Sequence, residues 1–210
     1  MPEFPIVPDH TGMLFFDALN VYLHPEQPEE RLKVEASGII PILVRLSRLC
    51  RQAGITILYA QADHRVDHRD FVPLIADRGP TISAHGGPGL TRAPVHGAGM
   101  KNEQIISELR PRPADYVVKK HRWSSFFQTH LELSLRAAGI NTIIIAGGST
   151  EVGVASTAYS ARDRDFNQIV IRDACSSNHE GVTEFFMDRV FTSFARVMTI
   201  DELETAITRG

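Results

Sequence analysis

Cysteine is scarce in this sequence, since only Cys50 and Cys175 are present among 210 residues. Two cysteines cannot build the disulfide framework of a small secreted domain or a metal cluster held by thiolates. No apolar run approaches the roughly 18 residues that a membrane-spanning helix needs. The first ten residues, MPEFPIVPDH, also lack the basic start and apolar centre of a signal peptide. We therefore expect a cytoplasmic protein.

An excess of charge of either sign is also missing. The formal net charge is -3, which gives no electrostatic basis for binding nucleic acid or an anionic membrane. Hydrophobic residues make up 43% and charged residues 22%, which is ordinary for a globular protein with a sizeable core. We predict one domain over residues 1–210 that acts on a small molecule, with an irregular arm at 1–10 and a glycine- and proline-rich loop at 79–99.

Short apolar runs alternate along the chain with segments of helical periodicity. Such alternation is typical of an α/β protein with a parallel sheet. We predict a three-layer αβα, Rossmann-like fold in which helices flank a six-stranded, mostly parallel sheet. The predicted strands are Gly12–Phe16, Ile55–Ala60, Asp115–Lys119, Thr142–Ala146, Gln168–Ile171 and Arg196–Ile200.

The helical segments are read from apolar residues at three- and four-residue spacing. The pattern over Val34–Ala53 contains Pro41, so we expect that helix to begin near the proline. Further helices are predicted at Asn102–Leu109, Phe127–Ala138 and Val182–Phe194. They complete the layers on the two faces of the sheet.

One stretch, Asn141–Phe166, places a strand, a glycine turn and a helix start in succession. Gly147 and Gly148 end the strand, and Ser149 and Thr150 offer a helix N-cap. In open α/β sheets, ligands bind at the carboxyl ends of the strands. Backbone N–H groups at this helix start could therefore meet an anion or an oxyanion. The same pattern also fits an ordinary strand–helix connection.

Charged residues end two of the predicted strands. Asp17 follows the first strand directly, and burying a carboxylate there is costly unless it is paired or used. Lys119 and Lys120 end the third strand, and strand alternation places them on opposite sides, so at most one should face a site. A structural ion pair for Asp17 and solvated lysines remain the simpler interpretations.

The segment ADHRVDHRDF, residues 62–71, contains two histidines and several charged residues. Its spacing is not a zinc signature, and no third convincing ligand lies nearby in the sequence, so we predict no metal. Arg65 or Arg69 could instead meet a substrate carboxylate at the rim of an active site. A solvated loop fits the segment as well.

The chain resembles the isochorismatase-like (cysteine) hydrolase superfamily over nearly its whole length. The resemblance rests on LFFDALN, on KKHRWSSFFQTHLELSLRAAGINTIIIAGGSTEVGVASTAYSARDRDF and on RDACSS. It implies that Asp17 is the catalytic aspartate and Lys120 the catalytic lysine. It also implies a cis peptide and oxyanion turn at Gly148-Ser149, with backbone N–H groups near Val152 and Gly153.

The departures from that pattern bear on the reaction. Gly153 occupies the position of the catalytic cysteine, and Leu19 stands where the family usually has glutamine. Ala62 replaces the metal-binding aspartate of the nicotinamidase branch, although His64 matches one of its ligands. Glycine supplies no nucleophile, so a covalent acyl-enzyme is hard to write for this chain. The resemblance also offers a precedent, because the isochorismatase branch proper has glycine at this position.

We therefore expect a hydrolase without a cysteine nucleophile. Asp17 would act as general acid, Lys120 would orient it, and Gly153 would leave room for the substrate. A vinyl ether suits such chemistry, because protonating its terminal carbon creates a cation that water can capture. Residues expected to bind the substrate are Ser149, Val152, Trp123, Phe127, Arg122, His64 and Arg65.

Two alternatives remain open at this point. The chain could be an amidase of the cysteine branch, acting on a C–N bond, whose nucleophile has been replaced by Gly153. It could also be a non-catalytic homologue that binds a small molecule. In each case we expect no cofactor, no nucleic-acid or membrane partner, and, from the resemblance, a homodimer or homotetramer.

Overall fold

A computed structural model describes residues 5–65, 70 and 103–208 of the chain. Its six strands form one sheet in the order β3-β2-β1-β4-β5-β6, and every neighbouring pair is parallel. The predicted α/β fold is confirmed, and the sheet is wholly parallel. The strands are β1 Thr11–Phe16, β2 Thr56–Ala62, β3 Tyr116–Lys120, β4 Thr142–Gly148, β5 Asn167–Ser176 and β6 Arg196–Met198.

Helices cover both faces of this sheet. The α-helices are α1 Asn20–Leu23, α2 Pro28–Ser37, α3 Ile39–Gln52, α4 Leu131–Ala137, α5 Ala155–Arg162, α6 Val182–Phe185 and α7 Ile200–Thr208. Single turns of 3₁₀-helix lie at Pro8–His10, Ser107–Leu109 and Phe191–Ser193, and π-helical turns at Thr150–Val154 and Phe186–Val190. No helix in the described part of the chain combines the length and apolar character that crossing a bilayer requires.

Strand β1 lies at the centre of the core and is buried along its whole length. Met13 and Phe15 pack in one apolar cluster with residues of α3 and α7. Leu14 and Phe16 pack in a second cluster, with residues of α4 and α5. Side chains of a strand alternate between its faces, so β1 contributes to both clusters and joins the three layers.

One predicted helix begins near its proline as expected, whereas another is not formed as predicted. Helix α3 begins at Ile39, before Pro41, because a proline in the first turn removes an N–H that has no partner within the helix. A helix over Asn102–Leu109 is wrong for the described residues, where Ile105 pairs with Leu19 in an antiparallel bridge and only Ser107–Leu109 form a helical turn.

The helices predicted at Phe127–Ala138 and Val182–Phe194 are also shorter than expected. Gln128 has a φ of 54°, which the right-handed helix does not allow, and α4 begins only at Leu131. After α6 the chain continues as a π-helical turn and a 3₁₀ turn. The loop predicted at 79–99 lies outside the described residues. Within residues 5–10 of the predicted arm, the only regular structure is the turn at Pro8–His10.

Candidate active site

Asp17 leaves β1 in an unusual backbone conformation. Its φ is 46°, in the left-handed region that aspartate tolerates better than most residues. The Asp17 N–H donates to the carbonyl of Ala60 at 2.9 Å, which ties the turn to β2. The chain thus turns sharply at the carboxyl end of the central strand, beside two neighbouring strands.

Two donors, one on β2 and one on β3, hold the carboxylate of Asp17. The backbone N–H of Ala62, on β2, donates to Oδ1 at 2.9 Å, and Nζ of Lys120, on β3, donates to Oδ2 at 2.8 Å. The side chains of Asp17 and Lys120 are buried, with 9% and 6% of their surface exposed. Removing either partner would leave an uncompensated buried charge, so the two residues depend on each other.

The adjacent lysine has a different environment. Just over half of the Lys119 side chain is exposed, and its Nζ lies 3.4 Å from a carboxylate oxygen of Asp63. The strand alternation therefore separates the two lysines as expected, and Lys120 is the one that contacts Asp17.

Phe16 lies under the ion pair. The Nζ atom of Lys120 is 4.3 Å from the centroid of the Phe16 ring, a distance at which the ring attracts a cation. Tyr22 is a further titratable group that interacts with Asp17. Burial and the negative charge of Asp17 raise the pKa of Tyr22. The phenol of Tyr22 therefore stays protonated at neutral pH.

The same ring fills the space beside Gly153. A Cβ atom built on Gly153 would lie 2.0 Å from Cε1 and 2.1 Å from Cζ of Phe16. Real Cβ atoms do not approach other atoms so closely. The expectation that glycine leaves room for the substrate is therefore wrong in this structure, because Phe16 occupies that volume.

The turn after β4 has the geometry that the resemblance implies. The peptide bond between Gly148 and Ser149 is cis. Gly147 has a φ of 126°, and a Cβ there would lie 2.1 Å from the carbonyl oxygen of Phe16, so only glycine fits. The carboxyl ends of β1 and β4 consequently lie in close contact at this point.

The helix that follows begins differently from the prediction. The Ser149 side chain makes no capping hydrogen bond; the Thr150 hydroxyl instead donates to the carbonyl of Ser176 at 3.0 Å, which links the turn to β5. The Val152 N–H, expected to bind an oxyanion, donates to the Ser149 carbonyl at 3.3 Å. In this conformation the Val152 N–H is thus engaged within the turn.

His64 belongs to a cluster with Asp70, six residues further along the chain, and with His121, which follows β3. Its Nδ1 lies 3.1 Å from Oδ2 of Asp70, and Nδ1 of His121 lies 3.8 Å from the same oxygen. One ligand atom from each residue falls within 4.8 Å of the others, close enough to surround one ion. The sequence argument considered only neighbours along the chain, whereas His121 comes from the end of β3; the absence of a metal stays a prediction.

Burial dominates the electrostatics of His64. Burial lowers its pKa below the ordinary 6.5, while the hydrogen bond to Asp70 opposes that shift. For Asp70, burial alone would raise the pKa, but hydrogen bonds from His64 and from the Arg65 N–H bring it below its usual value. The pair therefore favours a neutral imidazole beside an ionised carboxylate at neutral pH.

The remaining predicted substrate residues lie at the surface. The Arg65 and Arg122 residues are exposed, and the Arg122 guanidinium donates to the His121 carbonyl at 2.6 Å. Trp123 and Phe127 are 49% and 52% exposed, so neither is a core residue. Their exposed rings are available to the apolar part of a ligand.

The two cysteines of the chain are both poor candidates for a nucleophile. Burial raises the pKa of both Cys50 and Cys175 to about 12, so both remain protonated at neutral pH. A protonated thiol is a poor nucleophile. Cys175 also lies on β5 as the register partner of Gly147, within the sheet.

With this geometry in place, comparison with known proteins identifies the family. The profile of the isochorismatase domain matches residues 11–202. The chain belongs to the isochorismatase family of hydrolases. An isochorismatase family protein from Burkholderia thailandensis has the same fold, with a TM-score of 0.77, 23% identity and coverage of 98% of this chain and 100% of that one.

Two curated relatives illustrate the range of the family. The ureidoacrylate amidohydrolase RutB of Methylobacterium radiotolerans is 27% identical over 95% of this chain and 80% of its own length. The uncharacterized isochorismatase family protein YecD of Escherichia coli O157:H7 is 36% identical over 104 residues, which are 50% of this chain and 55% of that protein. The stretch similar to YecD thus spans little more than half of that relative.

Several residues of this site were not identified in the sequence. Phe16 reads there as an ordinary core residue of an apolar strand, and the Ala62 N–H carries no side-chain signal. His121 approaches His64 because β2 and β3 are neighbours in the sheet, and Asp70 reaches it from six residues further along the chain. The six-residue spacing of His64 and Asp70 was the one available hint.

The His64–Asp70 contact predicts the direction of a pKa change. In Asp70→Asn, the loss of the carboxylate should lower the pKa of His64 further, because the opposing charge and hydrogen bond weaken. A histidine whose pKa is lower in the folded than in the unfolded protein destabilises the fold as the pH drops below about 6.5. This loss of stability at low pH should be larger in Asp70→Asn than in the parent protein. Titration of the His64 ring by NMR measures the pKa, with the exposed Asp163→Asn as control. An unchanged or raised His64 pKa would contradict the assignment.

The contact between Phe16 and Gly153 predicts a coupling between the two positions. Gly153→Cys should destabilise the protein by about 1–3 kcal/mol, because the new side chain meets the ring. In Phe16→Ala/Gly153→Cys the new side chain has space, so the double variant should be more stable than the sum of the single effects implies.

Urea unfolding measures the free energies needed for this comparison. Phe16→Ala combined with Gly54→Cys is the control, because nothing lies within 4 Å of a Cβ at Gly54, and there the two effects should add. Additive effects at Phe16 and Gly153 as well would show that the ring does not occupy the side-chain space of residue 153.

Proposed function

We propose that this member of the isochorismatase family hydrolyses a small carboxylate- or amide-bearing molecule without a cysteine nucleophile, with Asp17 and Lys120 as its acid–base pair. The observation that carries the proposal is the buried 2.8 Å contact between Lys120 Nζ and Asp17 Oδ2 next to Gly153, where an aromatic ring takes up the side-chain space. The proposal assigns Gly153 to the position at which the cysteine branch has its nucleophile.

The pair can hold a proton in either of two places. An ammonium at Lys120 donating to a carboxylate at Asp17 is the charged form of the pair. Moving the proton along that hydrogen bond produces a carboxylic acid and a neutral amine. Asp17 can therefore act as a general acid although its partner is a cation.

A vinyl ether is the substrate class whose hydrolysis requires the fewest catalytic groups beyond this acid–base pair. Asp17 would transfer its proton to the terminal alkene carbon, which forms a C–H bond and leaves an oxocarbenium ion. Water adds to that ion, and its surplus proton returns to the carboxylate. The hemiketal then breaks its C–O bond to give a ketone and an alcohol, so that one water is consumed and no other reactant is required.

A thiol pathway fits the site poorly. No cysteine stands near the turn at Gly148-Ser149 other than Cys175, whose thiol stays protonated because burial raises its pKa to about 12. At residue 153 the Phe16 ring occupies the space that a side chain would need. Both facts favour chemistry in which water, and not a protein side chain, attacks the substrate.

Substrate recognition is part of the proposal. His64, Arg65 and Arg122 are the groups we assign to a substrate carboxylate, and the exposed rings of Trp123 and Phe127 to its apolar part. Ser149 and Val152 would contribute backbone contacts at the turn. We further propose a homodimer or homotetramer that acts on a small molecule.

Hydrolysis of a C–N bond is the second candidate. It is favoured by the likeness to RutB, whose name describes a ureidoacrylate amidohydrolase and which aligns with 95% of this chain. In that case Asp17 would act as base on water, with Lys120 stabilising the resulting charge. A homologue that binds a ligand without turnover would retain the pocket but not this chemistry.

Substitution of the ion pair tests the proposed function. Asp17→Asn and Lys120→Met should each lower kcat/KM by about a hundredfold or more, because each removes proton transfer. The assay offers vinyl ethers, carboxamides and ureido compounds to the parent protein and then follows the preferred substrate in the variants. Lys119→Met is the matched control, since that lysine is mostly exposed and should leave turnover unchanged.

Loss of folding must be separated from loss of chemistry. Single substitutions leave a buried charge unpaired and can cost about 3–5 kcal/mol, whereas Asp17→Asn/Lys120→Met removes both charges together. The double variant should fold, as judged by circular dichroism, and lack turnover. Turnover by a folded variant without this pair would rule the proposal out.

A further inference from the structure

A cleft between α3 and the segment that leads into β3 is lined by four arginines. Its volume is about 450 Å³, within the range of small-molecule sites. One wall is the last two turns of α3, and the other is the segment that leads into β3. The arginines in its lining are Arg48, Arg51, Arg110 and Arg112.

The cleft is separate from the candidate active site. Helix α3 ends at Gln52, just before β2 begins, and Arg112 lies shortly before the start of β3. Arg51, Gln52 and Arg112 of the lining are therefore near the amino ends of these strands, whereas Ala62 and Lys120 are at their carboxyl ends. Five residues of β3 separate the two edges by about 16 Å.

One arginine forms a fixed base for the cleft. The guanidinium of Arg51 donates to both carboxylate oxygens of Asp115, at 2.9 and 2.6 Å, and only 16% of its side chain is exposed. Such a bidentate pair fixes the plane of the guanidinium. Asp115 also accepts a hydrogen bond from the Arg112 N–H at 2.7 Å, which holds the opposite wall in place.

The charges of Arg48, Arg110 and Arg112 are not neutralised by a carboxylate in the described lining of the cleft. Glu108, the carboxylate in the cleft lining, already pairs with His24 at 3.0 Å. Within residues 5–65, 70 and 103–208, no carboxylate forms an ion pair with Arg48, Arg110 or Arg112. Three cations thus surround one cleft in a chain whose formal net charge is -3.

The rest of the lining suits a ligand with several acceptors. Ser47 and Gln52 add a hydroxyl and an amide, while Val44 and Leu109 provide an apolar floor. Planar guanidinium groups bind phosphate and carboxylate oxygens bidentately. A ligand with two or more anionic groups would relieve the repulsion among the arginines, which a singly charged ion can do only in part.

We propose that this cleft is a second binding site, for a small molecule that carries at least two phosphate or carboxylate groups. It lies outside the proposed reaction and does not depend on it. The shared chemistry is a cluster of anionic oxygens that spans Arg48 on one wall and Arg110 and Arg112 on the other.

Binding of defined polyanions tests the proposal. Isothermal titration of the parent protein with pyrophosphate, ADP or citrate should give saturable binding for at least one of them, and its affinity should fall as the salt concentration rises. Arg48→Ala/Arg110→Ala/Arg112→Ala should weaken that affinity by at least about tenfold, since each lost charged hydrogen bond is worth that much or more. Preference for pyrophosphate and ADP, or for citrate, tells a phosphate site from a carboxylate site.

A control variant removes the same charge elsewhere. Arg162→Ala/Arg172→Ala/Arg189→Ala changes three exposed arginines of α5, β5 and the turn after α6, on the other side of the sheet. It should bind the polyanion as the parent does. No saturable binding to the parent, or equal loss of affinity in both triple variants, would overturn the proposal. Because binding is read without substrate, its outcome is independent of whether Asp17 supports turnover.

Discussion

The ion pair between Asp17 and Lys120 is the interaction on which the site depends. Each charge is buried, and neither is tolerable there without the other. The pair exists because β1, β2 and β3 are adjacent and parallel, so that their carboxyl ends meet. The left-handed turn at Asp17 directs its carboxylate across β2 towards Lys120, with the Ala62 N–H as the second donor.

Phe16 links this pair to the turn after β4. Its ring lies beneath the Lys120 ammonium and against Gly153, while its carbonyl oxygen lies where a side chain on Gly147 would be. Gly153 thus leaves free the space that the Phe16 ring occupies. A side chain at this position would require the ring to move, or a smaller residue than phenylalanine before Asp17.

Local patterns in the sequence were sufficient for the sheet and for the charged residues at its edge. Strand alternation separated Lys119 from Lys120, and the apolar run before Asp17 placed that carboxylate at a strand end. Helix bounds were less predictable where special backbone angles intervene, as at Gln128. The contacts of Phe16 and His121 could not be predicted, because they depend on strand order and on side-chain packing between distant segments.

The claim that water and not a thiol attacks the substrate is tested most directly with a protein that has no cysteine. The measurement is the kcat/KM of Cys50→Ala/Cys175→Ala for the vinyl ether or amide that the parent protein turns over. The account predicts that the folded double variant retains the kcat/KM of the parent, because both thiols are buried and protonated. Loss of turnover in a variant that remains folded would contradict it and would assign the attack to a cysteine.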